Sequence, residues 1–505
     1  MRRSIPAASF LESLVRSSQP SISELKSWRM SQAALRQLLQ PTSMEPLPPS
    51  APIASPNPTI DLPLQFPHTA SVGEPIEAMS IEEKSSRDRE RYGGMRTWKR
   101  LRRERSGSNG QDSFVLRMIS FNILAQNLLE SYPYLYKNHD KRALPWETRR
   151  RLILEEIIAA QADIICLQEM QEEHLLDFLR PLTDLGYAHI YKKRTNDKRD
   201  GLLLLYRSSS FVLLEESRLE LYQSGIERLS RDNVAIVAKF ALRSDPSQML
   251  VVATTHLLYN PMRNDVRLGQ TQLVLAEVER IAYIGEGISR RTGPKYLPIL
   301  LAGDFNLEPF TGVYRFITEG QFEYEGKGRN LEQAKYRDKL RRRCLSNNLI
   351  PPRLCVTDNC QHLSVLLKRL RGIGDARIML ENTEICVEEN NFANNSSLLN
   401  CGLNTESLTY QTVEISRGQH ATFSSGTLSH PFRLKSAYGH IDEATTNQRD
   451  WITVDYIFHS EDIEHLERYT LPTVHQCTLL PSIPNFIVGS DHLCLGGTFK
   501  LRPRT

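Results

Sequence analysis

The sequence predicts an α/β protein over residues 114–501. Short apolar, β-leaning runs recur along that stretch. Between them lie longer segments whose apolar residues repeat at helical spacing. The two kinds alternate along the chain instead of clustering by type, which is the α/β pattern.

The first strand is expected at 115–123, a short apolar run. A helix follows at 147–160, where Leu152, Ile153, Ile157 and Ile158 can share one face. Apolar runs at 163–167, 202–206, 234–240, 249–255 and 297–301 are the next strands. The segment 268–284 reads as a second helix, with Leu273, Leu275, Ala276, Val278, Ile281 and Ala282 available for burial. Residues 320–425 break the rhythm with a charged run at 339–343 and an Asn-rich patch at 390–395, so a long, partly disordered insertion is expected there. The strand pattern returns at 453–458 and 493–501.

Residues 1–113 differ in kind and read as a Pro-rich, basic and disordered N-terminal extension. Nine prolines fall within 41–67, and proline removes the amide that helices and central strands need. Before residue 45, Arg2, Arg3, Arg16, Lys26, Arg29 and Arg36 face only Glu12 and Glu24, a balance shared by transit peptides and by unstructured polar tails. A second basic cluster, Arg96, Lys99, Arg100, Arg102, Arg103 and Arg105 beside Trp98, could steer RNA, serve as a nuclear signal or be a solvated segment ahead of the domain.

The chain has 505 residues, 40% hydrophobic and 24% charged, with ample length for a large core. A formal net charge of +4 neither demands nor excludes a nucleic-acid partner. Eight irregularly spaced cysteines without a CxxC favour a reduced intracellular protein over a disulfide scaffold. Cytoplasmic residence is expected, with mitochondrial or nuclear location as alternatives. No apolar run approaches the roughly 18–20 residues of a spanning helix, so no membrane partner is expected.

Six short segments in or beside the β-like runs carry the chemistry. Asn122 follows the first run and can donate to a phosphate oxygen, although an Asn there is more often a turn former. Glu169 follows an apolar strand and needs a counter-charge if buried. A hard Mg²⁺ ion would supply one, while an exposed Glu opening a helix is the plain alternative. His256, after 249–255, can donate to phosphate or be a structural histidine. In Gly303-Asp304-Phe305-Asn306, period-2 alternation sets Asp304 and Asn306 on one side if the chain stays extended. An Asx turn is the other reading. Asp455 sits inside a β-branched and aromatic run, and His492 of Ser490-Asp491-His492 is its natural partner for proton transfer. Each segment has a bland explanation alone. Together they supply carboxylates, amides and imidazoles suited to phosphodiester cleavage, which needs charge neutralised, water activated and a crowded transition state stabilised.

The order N-x-L, Q-E, T-H, G-D-x-N, D-Y and S-D-H resembles the exonuclease–endonuclease–phosphatase superfamily with its DNase I-like fold, over about residues 115–501. Thr255-His256-Leu257-Leu258-Tyr259-Asn260-Pro261 is similar to the deadenylase-related branch that includes Nocturnin and Angel. Residues 119–126 with Leu128-Leu129, Arg231-Asp232-Asn233-Val234, and 452–458 look closest to Angel proteins. The sequence departs from the branch at Asp200-Gly201-Leu202-Leu203, where relatives usually read D-G-C-A.

The resemblance implies a four-layer sandwich of two packed mixed β-sheets flanked by helices. It implies Glu169 as principal Mg²⁺ ligand, with Mn²⁺ a possible substitute, and Asp491 supporting the metal's water shell. Asp304 would orient or activate the nucleophile and Asn306 would position it. His492, oriented by Asp455, would contact phosphate and assist proton transfer, while Asn122, His256 and Asn233 would bind substrate. An RNA substrate follows, with removal of a 2′,3′-cyclic phosphate from RNA ends expected, and 3′→5′ exonuclease or poly(A)-shortening action as the alternative. A non-catalytic RNA or protein platform is a further reading, set against the presence of every metal and base residue. Protein partners are not specified by the sequence.

Overall fold

The computed structural model describes residues 81–101, 113–286, 293–333, 344–371, 411–416, 419–447 and 450–502. The expected transit-like N-terminus, the proline-rich stretch 41–67, Arg102, Arg103 and Arg105, the charged run 339–343 and the Asn-rich patch lie outside these residues. The chain divides into two units, Met1–Glu77 and Ala78–Thr505, and all that follows concerns the second.

Its main helices are α1 (Ile81–Met95), α2 (Trp146–Ala160), α3 (Leu175–Asp184), α4 (Asn264–Ala282), α5 (Gly312–Glu319) and α6 (Leu363–Arg371). The strands of the two large sheets are β1 (Trp98–Arg100), β2 (Phe114–Asn122), β3 (Ile164–Gln171), β4 (Tyr187–Lys193), β5 (Asp200–Arg207), β6 (Phe211–Glu220), β7 (Val234–Leu242), β8 (Met249–His256), β9 (Ile299–Asp304), β10 (Leu434–Ser436), β11 (Asp455–Ser460), β12 (Ile463–Tyr469) and β13 (Leu495–Leu501). One sheet has seven strands in the order β1-β12-β13-β2-β3-β5-β4, and the other six in the order β10-β11-β9-β8-β7-β6. Parallel pairs, β2 with β3 and β8 with β9, sit among antiparallel ones, so both sheets are mixed.

Alternation along the strands builds the expected four layers. Leu116, Met118, Ile164, Cys166, Leu202 and Leu204 of the first sheet meet Ile236, Phe240, Leu250, Val252, Leu300, Ala302 and Ile457 of the second in one core. The opposite parity of the first sheet, Ile119, Phe121, Ile165, Leu167, Leu203 and Leu205, packs under α2 and α3. Val237, Val251, Ala253 and Leu301 of the second pack under α4 and α5.

The structure departs from the sequence reading at the edges. Order does not begin near Phe114: α1 and β1 precede it, and β1 pairs with β12. Arg96 is buried and donates to the carbonyls of Thr470 and Cys494, with Glu156 beside it at 3.3 Å, so it is a structural residue and not part of an RNA-steering cluster. A cluster of charge in the sequence conceals an edge strand because edge strands tolerate polar side chains. Within 320–425, the described residues form α6 and short strands. Leu331, Leu345, Leu349, Ile350, Leu354 and Val356 join the core around α4. That cover explains why α4 is buried nearly all round.

Candidate active site

The core between the two sheets turns polar at one edge. Inward parity on β8 runs Leu250, Val252, Thr254, His256, and on β9 runs Leu300, Ala302, Asp304. Asp304 pairs in register with His256 on one side and with Asp455 on the other. Three neighbouring strands therefore present an Asp455–Asp304–His256 row at their ends, all buried. Gly303 makes the close approach possible: a Cβ there would lie 1.9 Å from the Thr255 carbonyl oxygen. The glycine thus serves the packing of β9 on β8.

The facing sheet contributes Asn122 and Glu169. Asn122 ends β2 with inward parity, and its Nδ2 lies 3.0 Å from Asp304 Oδ2 and 3.0 Å from Glu169 Oε1. Strict alternation would turn Glu169 outward with Ile165 and Leu167. A bulge between Gln168 and Met170, with Glu169 at φ 64°, re-aims it toward the inter-sheet edge. Its Oε2 accepts from the Ala125 amide at 2.8 Å. Glu169 therefore turns into the cluster and does not open a helix into solvent, the plainer of the two sequence readings.

The loop before β13 completes the cluster. His492 Nδ1 pairs with Asp455 Oδ2 at 2.8 Å, leaving Nε2 3.8 Å from Asp304 Oδ2 and 4.0 Å from Asp491 Oδ1. Asp491 Oδ2 accepts from the Tyr136 hydroxyl at 2.8 Å, whereas its buried Oδ1 has no hydrogen-bond partner among the described residues. His256 Nε2 lies 3.5 Å from Asp304 Oδ2.

Asn306 takes the Asx-turn reading of its segment, and Asn233 is bonded to protein groups. Asn306 does not follow an extended chain: its φ is 53° and its amide donates to Asp304 Oδ1 at 2.9 Å, so Asp304 forms an Asx turn. The Asn306 side chain donates to the Leu257 carbonyl at 3.0 Å, still at the rim of the cluster. Asn233 donates to the His256 carbonyl and accepts from Gln270, both at 2.9 Å. Its amide holds the backbone of His256 in place.

Burial and crowding set the protonation states. Asp304 is pushed up to about 8 by burial, then by Asp455, with His492, Asn122 and the Asn306 amide opposing. Burial raises Glu169, and Asp491 adds to the effect. Burial alone would lower His492, but Asp455, Asp304 and Asp491 outweigh it and hold the ring protonated well above its usual value. His256 is lowered to about 3 by burial and Arg194, so it is neutral and keeps one N–H to donate. Asp304, Asp455 and Asp491 are buried and Glu169 is half-buried beside them, so keeping all four charged carries a desolvation penalty of several kcal/mol for each buried ion. Among the described residues no Arg or Lys hydrogen-bonds to any of them.

That imbalance fits a divalent cation. Asp304, Asp455 and His492 offer ligand atoms within 4.8 Å of one another. However, His492 is engaged by Asp455 and protonated, so this trio is better suited to moving protons. Glu169 with the unpartnered Asp491 Oδ1 gives the all-oxygen donor set that a hard cation prefers. Tyr136 and Arg149 were missed from the sequence. Arg149, wholly buried, donates to the carbonyls of Ile123 and Gly489 at 3.0 and 3.1 Å and to Gln126 at 2.8 Å. It clamps the end of β2 to the loop bearing Asp491 and His492. On a helix of mixed charge, nothing marks one arginine as buried.

Comparison with known proteins agrees with this geometry. Residues 119–492 match the Endonuclease/Exonuclease/phosphatase family. Protein angel homolog 2 of Bos taurus is 32% identical over 422 residues, covering 78% of this chain and 70% of that protein. Protein angel of Drosophila melanogaster is 28% identical over 431 residues, covering 83% and 89%. The crystal structure of ANGEL2, a 2′,3′-cyclic phosphatase, in complex with adenosine-2′,3′-vanadate is similar with a TM-score of 0.61 at 30% identity, covering 80% of this chain and 98% of that one.

Proposed function

Because the chain belongs to the endonuclease/exonuclease/phosphatase family as an Angel-like phosphoester hydrolase, we propose that it removes 2′,3′-cyclic phosphate from RNA 3′ ends with Mg²⁺ bound. The observation that carries the reading is the buried Asp455–Asp304–His256 row facing Asn122 and Glu169, with His492 held on Asp455. The choice of a cyclic end follows the likeness to ANGEL2, described as a 2′,3′-cyclic phosphatase.

Glu169 and Asp491 would hold the cation, which neutralises phosphate charge when bound. Asp304, kept basic by its surroundings, takes a proton from the attacking water, and the Asn306 turn fixes its carboxylate. The water oxygen bonds to phosphorus, one ester P–O bond breaks, and the leaving ribose oxygen takes a proton from the His492 imidazolium. Asp455 keeps that ring oriented and charged. Asn122 and neutral His256 donate to phosphate oxygens as charge builds there. Removal takes two such hydrolyses, the second on the monoester left by ring opening.

The test is product analysis on two RNA oligonucleotides, one with a 2′,3′-cyclic end and one with a poly(A) 3′-hydroxyl end, each with and without Mg²⁺. Mg²⁺-dependent conversion of the first to a 3′-hydroxyl product, with the second intact, is expected. Laddering of the second with the first untouched overturns the reading in favour of an exonuclease.

A further inference from the structure

Away from the catalytic row, the described residues line an open cavity of about 460 Å³, with Arg228, Arg263, Arg329 and Arg353 set against Asp265 and Glu227. Four guanidiniums against two carboxylates leave an excess of positive charge. We infer that this cavity is a second binding site, for the phosphodiester backbone of the RNA upstream of its reacting 3′ end.

Three of the four arginines are held in place. Asp265, buried in the first turn of α4, pairs with Arg263 through Nε at 2.8 Å and Nη2 at 3.1 Å, and with Arg228 Nε at 3.4 Å. Arg228 Nη1 also donates to the carbonyls of Leu349 and Asn348. Arg353 Nη2 donates to the Gly225 carbonyl at 3.3 Å. A guanidinium has five N–H donors in a planar fork, so each of these three keeps donors for a ligand. Arg329 is exposed and makes no ion pair among the described residues. Fixed forks beside a free one suit phosphate oxygens better than a diffuse patch would.

Topology ties the cavity to the reacting centre. His256 ends β8, and the chain from it reaches Arg263 in seven residues, a span of at most about 25 Å. The start of that loop is bonded into the catalytic cluster, since the Leu257 amide donates to the Asp304 carbonyl and its own carbonyl accepts from Asn306. Arg267 then fixes the loop through the carbonyls of Leu258, Asn260 and Pro261. The opposite wall, Gly225–Arg228, runs into Asn233, which holds the His256 carbonyl. Both walls thus leave from the sheet edge that carries the catalytic row. An RNA strand whose last phosphate lies there has a positive cavity within a few nucleotides of it.

This inference rests on the RNA reading, so its test separates the two. Arg329→Glu/Arg353→Glu, which leaves the Asp265 pairs intact, is compared with the wild type on adenosine 2′,3′-cyclic phosphate and on a ten-nucleotide RNA with a cyclic end. Binding of a labelled 3′-hydroxyl ten-mer is followed by anisotropy across salt concentrations, and thermal melts check folding. Expected are unchanged kcat/KM on the mononucleotide and a KM about tenfold higher on the ten-mer. The slope of log Kd against log salt should flatten by about 1.4, at about 0.7 per lost phosphate contact on single strands. Equal binding and equal KM in both proteins overturn the inference, as does arginine-dependent binding of an acidic peptide with no RNA binding. If the wild type hydrolyses neither cyclic substrate but still binds RNA with the arginine-dependent slope, the hydrolytic reading falls and the RNA site stands.

Discussion

The protein buries two clusters of carboxylates and histidine, and they are built on opposite principles. On α4, Glu277 accepts from His362 at 3.1 Å and from Arg280 at 2.7–3.2 Å, and Glu279 accepts from Arg369, Gln361 and Tyr296. Despite burial, these partners drive Glu277 well below its ordinary range. At the sheet edge, Asp304, Asp455, Asp491 and Glu169 crowd one another, Asp304 is pushed up to about 8, and Asp491 Oδ1 is unpartnered. Both clusters are largely buried, but Arg280 and Arg369 balance the α4 carboxylates, whereas no Arg or Lys among the described residues hydrogen-bonds to those at the sheet edge. An unbalanced cluster is one prepared for something that arrives from outside.

The comparison breaks most sharply under mutation. Glu169→Gln should lower kcat/KM at least about a thousandfold, because it removes a cation ligand and alters the phosphate environment. Its melting temperature in EDTA should not fall, since one of several crowded charges is gone. A large drop in stability instead would make the edge cluster structural. The mirror experiment is Glu277→Ala, which strips a buried pair and should cost about 3–5 kcal/mol in a denaturant melt. Turnover by the folded fraction should be unchanged, and a matching loss of kcat would erase the distinction.

Smaller effects sharpen it. Tyr136→Phe removes only the hydroxyl that orients Asp491, and Mg²⁺ affinity should weaken about ten- to a hundredfold, as for other groups that orient metal ligands. Unchanged affinity would detach Tyr136 from the cation site. Stability against pH should show opposite signs in the two clusters. Asp304 binds its proton more tightly folded than unfolded, so in metal-free protein its contribution falls as pH rises from 3.8 to about 8 and is flat beyond. Glu277 is depressed, so its contribution is full above 4.5 and is lost as pH falls toward its folded value. Asp304→Asn should remove the first slope and Glu277→Gln should diminish the second, both read from melts across pH. A metal-free slope that Asp304→Asn leaves in place would show that Asp304 is not the group titrating.

Central features of the fold and half of the cluster could be read from the sequence for one reason. Apolar alternation along β8 and β9 carries straight on into His256 and Asp304, so inward parity predicts where they point. The rest lies where local pattern fails. Glu169 is turned by a bulge that no alternation announces, and Asn306 leaves the extended path that would have set it beside Asp304. Tyr136 stands in a segment without periodicity and meets Asp491 only through the tertiary fold. The strands β1 and β12 carry too much charge to resemble strands, although Trp98 packs against Tyr469 between them.

The claim on which the rest depends is that the carboxylates of the sheet edge bind a divalent cation, whereas those of α4 are already balanced by arginine and histidine. Calorimetric titration of Mg²⁺ into metal-free wild type and Glu169→Gln tests it directly. One saturable site is expected in the wild type, absent or at least about tenfold weaker in the variant. Equal binding by both proteins would contradict it.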